Sequence, residues 1–276
     1  MKLITLVLGM VVIAIAGVVA AQAPVQRPMF ENANIEPLKA NSVHSGGSCH
    51  GKDSRFTAEQ PHLMPLPPLG RCVFRAVTLH DLVRSAYVFE LQEGMDDLIT
   101  NEPSWMRSEL FDVNAVAASP ETTTRSDLYA MLQTLLSDRF KLRLHRDHKE
   151  VQGYALLVAK NGPKLKPDTS GDEHGSLLPS GSTPFEWEGK NVPLSILASS
   201  LSGFFGAPVV DKTGLAGRYD FTLSAPRTAL IFEALQDQLG LRLQQEKESV
   251  VVLLIDSVQR PGKTDMRYVL GMRRST

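Results

Sequence analysis

The stretch Val209-Val-Asp-Lys-Thr-Gly-Leu-Ala-Gly-Arg-Tyr-Asp-Phe-Thr-Leu223 decides how the chain reads: two strand-like runs flank a turn punctuated by Gly214 and Gly217. The elements around it recur, degraded, earlier in the chain. Val77, Leu79, Leu82 and Ala86 match Val192, Leu194, Leu197 and Leu201, and Phe111-Asp112-Val113 matches Tyr219-Asp220-Phe221. Leu132-Gln133 and Leu136, followed by Lys141-Leu142, match Leu235-Gln236 and Leu239, followed by Leu241-Arg242-Leu243. Agreement in one order predicts a duplication. Each half then reads helix, strand, helix, strand, strand, with helices packed on mainly antiparallel sheets, an α+β fold.

Outward from that stretch, Pro193 to Gly203 and Thr228 to Leu239 read as helices, and Phe185 to Trp187 as a short strand. In the first half, Thr78 with Asp81 and Thr124 with Asp127 stand at capping-box spacing. The helices they open carry apolar stripes, Leu79, Leu82, Val83 and Ala86, then Leu128, Met131, Leu132, Leu135 and Leu136. Phe30 to Glu36, Arg71 to Ala76 and Leu110 to Val116 read as strands. Phe140, Leu142 and Leu144 alternate with charge, and Tyr154 to Ala159 is expected to return as a hairpin partner across a charged turn, Arg146 to Gln152. Leu241 to Gln245 and Ser249 to Asp256 are expected to close the second half in the same way.

Residues 161–184 shift to Gly, Pro, Ser and charge, the expected linker between a first half, 22–160, and a second half, 185–256. Residues 41–70 are rich in Pro, Gly and Ser and are expected to be irregular. Residues 257–276 form a tail with five basic side chains, Arg260, Lys263, Arg267, Arg273 and Arg274.

From Leu3 to Ala21 the chain is uncharged and almost wholly apolar, with Lys2 in front and small residues at the end, the layout of a secretory signal. Cleavage after Ala21 starts the mature chain at Gln22. An uncleaved anchor is the competing reading, because about 20 apolar residues span a bilayer. Both place the remainder outside the cytoplasm. Removal of Lys2 leaves 28 basic side chains against 30 acidic ones, so no global field favours nucleic acid.

The two cysteines, Cys49 and Cys72, would meet an oxidising compartment, and they are read as one disulfide within a loop spanning 41–76. A metal site using them with His44, His50 and His62 lacks the short ligand spacing of known zinc sites. Gly47-Ser48-Cys49-His50-Gly51 outlines a nucleophile elbow, but no buried strand and helix flank it. Asp168, Asp172 and Glu173 beside His174 read as a solvated charge run. His80, His145 and His148 show no HExxH spacing, and phosphate loops and dinucleotide fingerprints are absent from the sequence. No catalytic residue, metal or cofactor is therefore assigned. Candidate binding residues are Asp211, Lys212 and Arg218 around the opening turn, with Trp105 and Trp187, which are placed near corresponding loops of the halves.

Four segments carry a resemblance: Val77-Thr78-Leu79 with Asp81-Leu82-Val83 and Ala86-Tyr87; Met131-Leu132-Gln133 with Asp138-Arg139-Phe140-Lys141-Leu142; Tyr154-Ala155-Leu156 with Ala159-Lys160-Asn161-Gly162-Pro163-Lys164-Leu165; and Asp211-Lys212-Thr213-Gly214-Leu215 with Tyr219-Asp220-Phe221-Thr222-Leu223. Together they resemble an exported family abundant in Solibacter and related acidobacteria, a domain of unknown function. Some relatives look fused to membrane sensor-peptidases. The segment from Cys49 to Cys72 is longer than the family pattern. The unit Phe232 to Ile255 is also similar to short N-terminal domains of secretins and TonB-dependent receptors, which are interaction modules. The expectation is a non-catalytic interaction or sensing module of the envelope with a protein or peptide partner. A secreted hydrolase using the histidines and carboxylates around the central linker is the alternative.

Overall fold

The first helix starts where Thr78 accepts the Asp81 amide and the Asp81 carboxylate accepts the Thr78 amide, and Thr124 with Asp127 starts the second in the same way. In the computed structural model, which describes residues 27–38, 43–54, 66–92, 94, 95, 97–170, 175–180, 185–262 and 267–269, these helices are α1 (Leu79–Ala86) and α2 (Arg125–Arg139). The strands around them are β1 (Asn32–Pro37), β2 (Gly46–His50), β3 (Arg71–Thr78), β4 (Ile99–Thr100), β5 (Leu110–Val116) and β6 (Arg143–Val158). Inward residues of β3 and β5, Phe74, Val77, Phe111 and Val113, meet Leu79, Leu82, Leu132 and Leu136 in one core.

A second core forms around β7 (Lys166–Pro167), β8 (Ser176–Pro179), β9 (Phe185–Val192), α3 (Leu194–Phe205), β10 (Val209–Asp211) and β11 (Tyr219–Ala225), with α4 (Ile231–Ala234) running into a π-helical turn, Leu235–Leu239. Then come β12 (Leu241–Ser257) and β13 (Arg267–Val269). Leu197, Leu201, Leu223, Leu235 and Leu241 are buried there.

Three sheets result, in the orders β13-β1-β5-β3-β2, β7-β11-β9-β8 and β10-β6-β12-β4. The third joins the lobes. Leu142 and Leu144 of the first lobe share its core with Leu253 and Ile255, while Leu156 shares the second core with Leu241. Hydrophobic burial thus commits each end of the β6–β12 ribbon to a different lobe.

Several expectations are corrected here. The opening stretch is not a hairpin: β10 runs parallel to β6, whereas β11 pairs with β9 and β7 in another sheet. The two closing hairpins are single long strands, β6 and β12, antiparallel to one another from Leu241↔Val158 to Ser257↔Arg143. The charged run Arg146 to Gln152, expected as a turn for its polarity, contains no glycine, proline or asparagine to reverse the chain. Arg146 to Glu150 lie in the middle of the ribbon and are all exposed, while Val250 and Val252 opposite them on β12 are buried against Met95 and Leu98. The order after α1 is therefore strand, strand, helix, strand. The expected irregular stretch holds β2, and the expected linker holds β7 and β8. Residues 1–26, which include the apolar N-terminal segment, lie outside the described residues, as does most of the basic tail.

Two bulges shape the lobes. Register shifts between Phe74 and Val77 on β3, where Ala76 has φ +48°, and the Asp112 carboxylate on β5 accepts the Ala76 amide at 2.8 Å. It shifts again between Tyr219 and Phe221 on β11, opposite Asn191 with φ +52°, whose amide donates to Asp220 at 2.9 Å. Each aspartate sits between buried neighbours and faces away from the core. Across these pairs the volumes are exchanged: Phe74 lies opposite Val113, and Gly189 lies opposite Phe221.

Candidate interaction surface

The turn that joins β10 to β11 is held from inside. Asp211 Oδ1 accepts the Thr213 amide at 3.0 Å and its hydroxyl at 2.7 Å, an Asx turn. Lys212 pairs with Glu248 at 2.8 Å and Glu246 at 3.2 Å on β12, and the bond to Glu248 raises the ammonium pKa above its ordinary value. Arg218 Nε donates to the carbonyl and side-chain oxygens of Asn191, so it braces the second bulge. Trp105 lies in a 3-10 turn, Ser104–Arg107, packed against the first core with the Arg260 guanidinium 5.0 Å from its ring centre. Trp187 is on strand β9, against the second core, so the two tryptophans do not occupy corresponding loops.

Cys49 and Cys72 face one another across β2 and β3 and are joined by a disulfide, with both side chains buried. This corrects the picture of a bridge within an irregular loop. His44 donates to Asp81 at 2.9 Å and His50 Nδ1 to the Pro67 carbonyl at 2.8 Å, while His62 lies outside the described residues. Among the described residues no three His, Cys, Asp or Glu side chains gather as metal ligands. Asp168 caps Ser170, and Asp172, Glu173 and His174 lie outside the described residues.

Sequence reasoning missed one buried polar group. His80 Nδ1 meets the Glu102 carboxylate at 3.0 Å, with Arg107 Nε at 2.6 Å on the same carboxylate, whose side chain is only 8% exposed. Nothing local to Glu102 signals this, because its partners come from α1 and the 3-10 turn. The other histidines stand on the exposed ribbon: His145 pairs with Asp256 at 2.7 Å, and His148 Nδ1 lies 3.5 Å from Ser249 Oγ.

The least ordinary surface belongs to α3. Its twelve residues, Leu-Ser-Ile-Leu-Ala-Ser-Ser-Leu-Ser-Gly-Phe-Phe, include no charge. Leu194, Leu197, Ala198 and Leu201 face the core, which leaves Ser195, Ser199, Ser200 and Phe204 on the outer side. A solvent-facing helix side normally carries charge. At its C-terminal end Phe204 is 37% and Phe232 39% exposed, and both contact Phe205, with ring centres 5.8 and 5.9 Å apart. Tyr154, in the middle of the shared sheet, closes the cluster at 5.4 Å from Phe205 and 5.8 Å from Phe232. A smaller apolar point lies at the end of α1, where Phe89, 60% exposed, meets Tyr129 edge-on beneath the Arg125 guanidinium. Among the described residues no helix is long and apolar enough to cross a membrane.

The fold is thus that of a two-lobed α+β protein, tied by a shared ribbon and bearing an uncharged, aromatic-ended helix face. The chain belongs to the family described as protein of unknown function (DUF3738), whose model matches residues 80–258, from α1 to just past β12. No curated protein and no solved structure matches it.

Proposed function

We propose that this protein is an exported, non-catalytic interaction or sensing module of the cell envelope, and that an envelope protein or peptide docks on the outer face of α3. The observation that carries this is the charge-free helix ending in the exposed Phe204 and Phe232. Exposed aromatics surrounded by neutral small residues gain free energy on docking without desolvating charge. The Cys49–Cys72 disulfide supports an oxidising compartment and hence export.

The module is built from two copies of one unit, β-β-β-α-β-β-α-β. Supporting this, Val77↔Phe111 and Phe74↔Val113 in one lobe have the register of Val192↔Tyr219 and Gly189↔Phe221 in the other. The edge pairs agree as well, Pro37↔Phe111 with Pro167↔Tyr219, and Ile99↔Leu253 with Val209↔Tyr154. Each copy lends a strand to the other's core.

The test is site-specific photo-crosslinking in the native envelope, with a benzophenone side chain at Ser200 or, as control, at Asp147 on the exposed ribbon. The reading expects one discrete adduct at Ser200 that Phe232→Glu abolishes, and none at Asp147. Adducts of equal yield at both sites, or protein confined to the cytoplasm, would refute it. For the hydrolase alternative, expected around the central linker, the approach to weigh is instead that of His148 to Ser249 at 3.5 Å on the ribbon. That alternative requires turnover in a hydrolase screen that Ser249→Ala removes.

A further inference from the structure

The outward face of the first sheet differs in chemistry from every other surface described above. Along β3, Cys72 and Phe74 point into the core, which turns Arg71, Val73 and Arg75 outward. Together with Gly46, Ser48 and Asn114 from the flanking strands they line an open cleft of about 400 Å³. His50 is the cross-strand neighbour of Arg71, with its Nδ1 bonded to the Pro67 carbonyl. No acid is among the described residues that line this cleft. Asp112 takes the Ala76 amide and Arg75 at 3.2 Å, and Glu36, opposite Asp112 on β1, takes the Asn34 amide group at 2.6 Å.

We propose that this cleft binds an extended acidic peptide segment lying along β2 and β3, a site independent of the α3 surface. Three observations favour that occupant. Arg71 and Arg75 project from one strand four residues apart, about 13 Å at roughly 3.3 Å per residue, which is the spacing of side chains i and i+4 of an extended chain. Next, β2 is the terminal strand of its sheet among the described residues, and its Gly46, Gly47 and Ser48 bear almost no side chain to keep an incoming backbone away. At Gly47 a Cβ would stand 2.2 Å from the Val73 carbonyl oxygen and 2.4 Å from the Phe74 Cα, so β2 packs closely on β3 there.

The second lobe provides an internal comparison. The outward residues of β9 at the positions of Arg71, Val73 and Arg75 are Glu186, Glu188 and Lys190, and Glu188 and Lys190 pair at 3.2 Å. There two acids face one cation, so the architecture does not itself require two cations on the first lobe. Both arginines also precede the stretch matched by the family model, so family membership does not account for them. Guanidinium groups favour carboxylates because their planar forks accept two oxygens at once.

The experiment uses the exported, disulfide-bonded chain and a fluorescein-labelled ten-residue peptide of Thr and Val carrying Glu at positions 3 and 7. Fluorescence anisotropy should show saturable binding that weakens at least tenfold when both Glu are replaced by Gln, and again in Arg71→Glu. Lys190→Glu, on the other lobe, should leave it unchanged. Amide NMR of the parent protein provides a readout that does not depend on the variant folding: titration should shift Gly46, Ser48 and Val73. Equal binding of the Gln peptide, full binding by a folded Arg71→Glu, or shifts confined to another surface would overturn the proposal. So would binding of inorganic polyphosphate in place of the Glu peptide.

Discussion

Gly189→Ala tests the packing of the second lobe with a single methyl group. Gly189 lies opposite Phe221, and a Cβ built there stands 2.7, 2.8 and 2.9 Å from three carbons of the ring. Carbon atoms pack best at about 3.5–4.0 Å, so the ring must retreat by about 1 Å from its contacts in the second core. Overpacking of this kind costs about 1–3 kcal/mol, and replacing glycine returns about 0.4–1 kcal/mol by restricting the unfolded chain. The net expectation is a loss of about 1–2 kcal/mol. Phe221→Val alone removes most of a ring and should cost about 2–4 kcal/mol. Combining Gly189→Phe with Phe221→Val rebuilds the Phe74–Val113 arrangement of the first lobe and should recover most of either loss. Urea unfolding followed by tryptophan fluorescence, with Trp187 on the same strand as reporter, measures these three and Gly189→Phe alone. A neutral Gly189→Ala, or a double variant no better than the sum of its parts, would refute both the steric argument and the equivalence of the two sites.

Ala76 holds φ +48° in the first bulge, a conformation that costs a residue with a Cβ about 1 kcal/mol, so Ala76→Gly should stabilise by about that amount in chemical denaturation. The hydrogen bond from the Thr124 hydroxyl holds the Asp127 carboxyl below its ordinary pKa. A depressed carboxylate stabilises the fold above its unfolded pKa and loses that contribution as pH falls through the folded one. Asp127→Ala should therefore cost about 1 kcal/mol at neutral pH, with the gap to the parent closing below about pH 4. The Cys49–Cys72 bridge closes a separation of 23 residues, and Cys49→Ala with Cys72→Ala should lower stability by about 3 kcal/mol. Non-reducing mass spectrometry of the protein isolated from its native cells should recover those two peptides linked, and free thiols would contradict it.

Local chemistry was legible in the sequence. Both capping boxes form within four residues, and the stripes through Leu82 and Leu132 follow from helical period alone, so these needed no partner to be read. The same holds for the alternation that sends Asp112 and Asp220 away from the core. The paired apolar positions Leu82 and Leu197, or Leu132 and Leu235, are all fully buried, as their spacing implies. The absence of charge in Leu194–Phe205 was also there to be seen, but not that Phe204 and Phe232 would be partly exposed together at its end.

Strand partnership was decided only by the tertiary structure. A run such as Arg146 to Glu150 can turn or continue, and it continues because Leu142 and Leu144 are needed in one core and Leu156 in the other, with β12 alongside throughout. Likewise β2, β7 and β8 take strand form in Gly-, Pro- and Ser-rich sequence because neighbouring strands supply their backbone partners. His80 and Glu102, 22 residues apart, and Arg71 with Ser48 and Asn114 become neighbours in that same step. Hydrogen-bond ladders between distant segments depend on backbone groups that every residue carries, so composition and period fix which face is apolar and leave the partner to the packing of the whole chain.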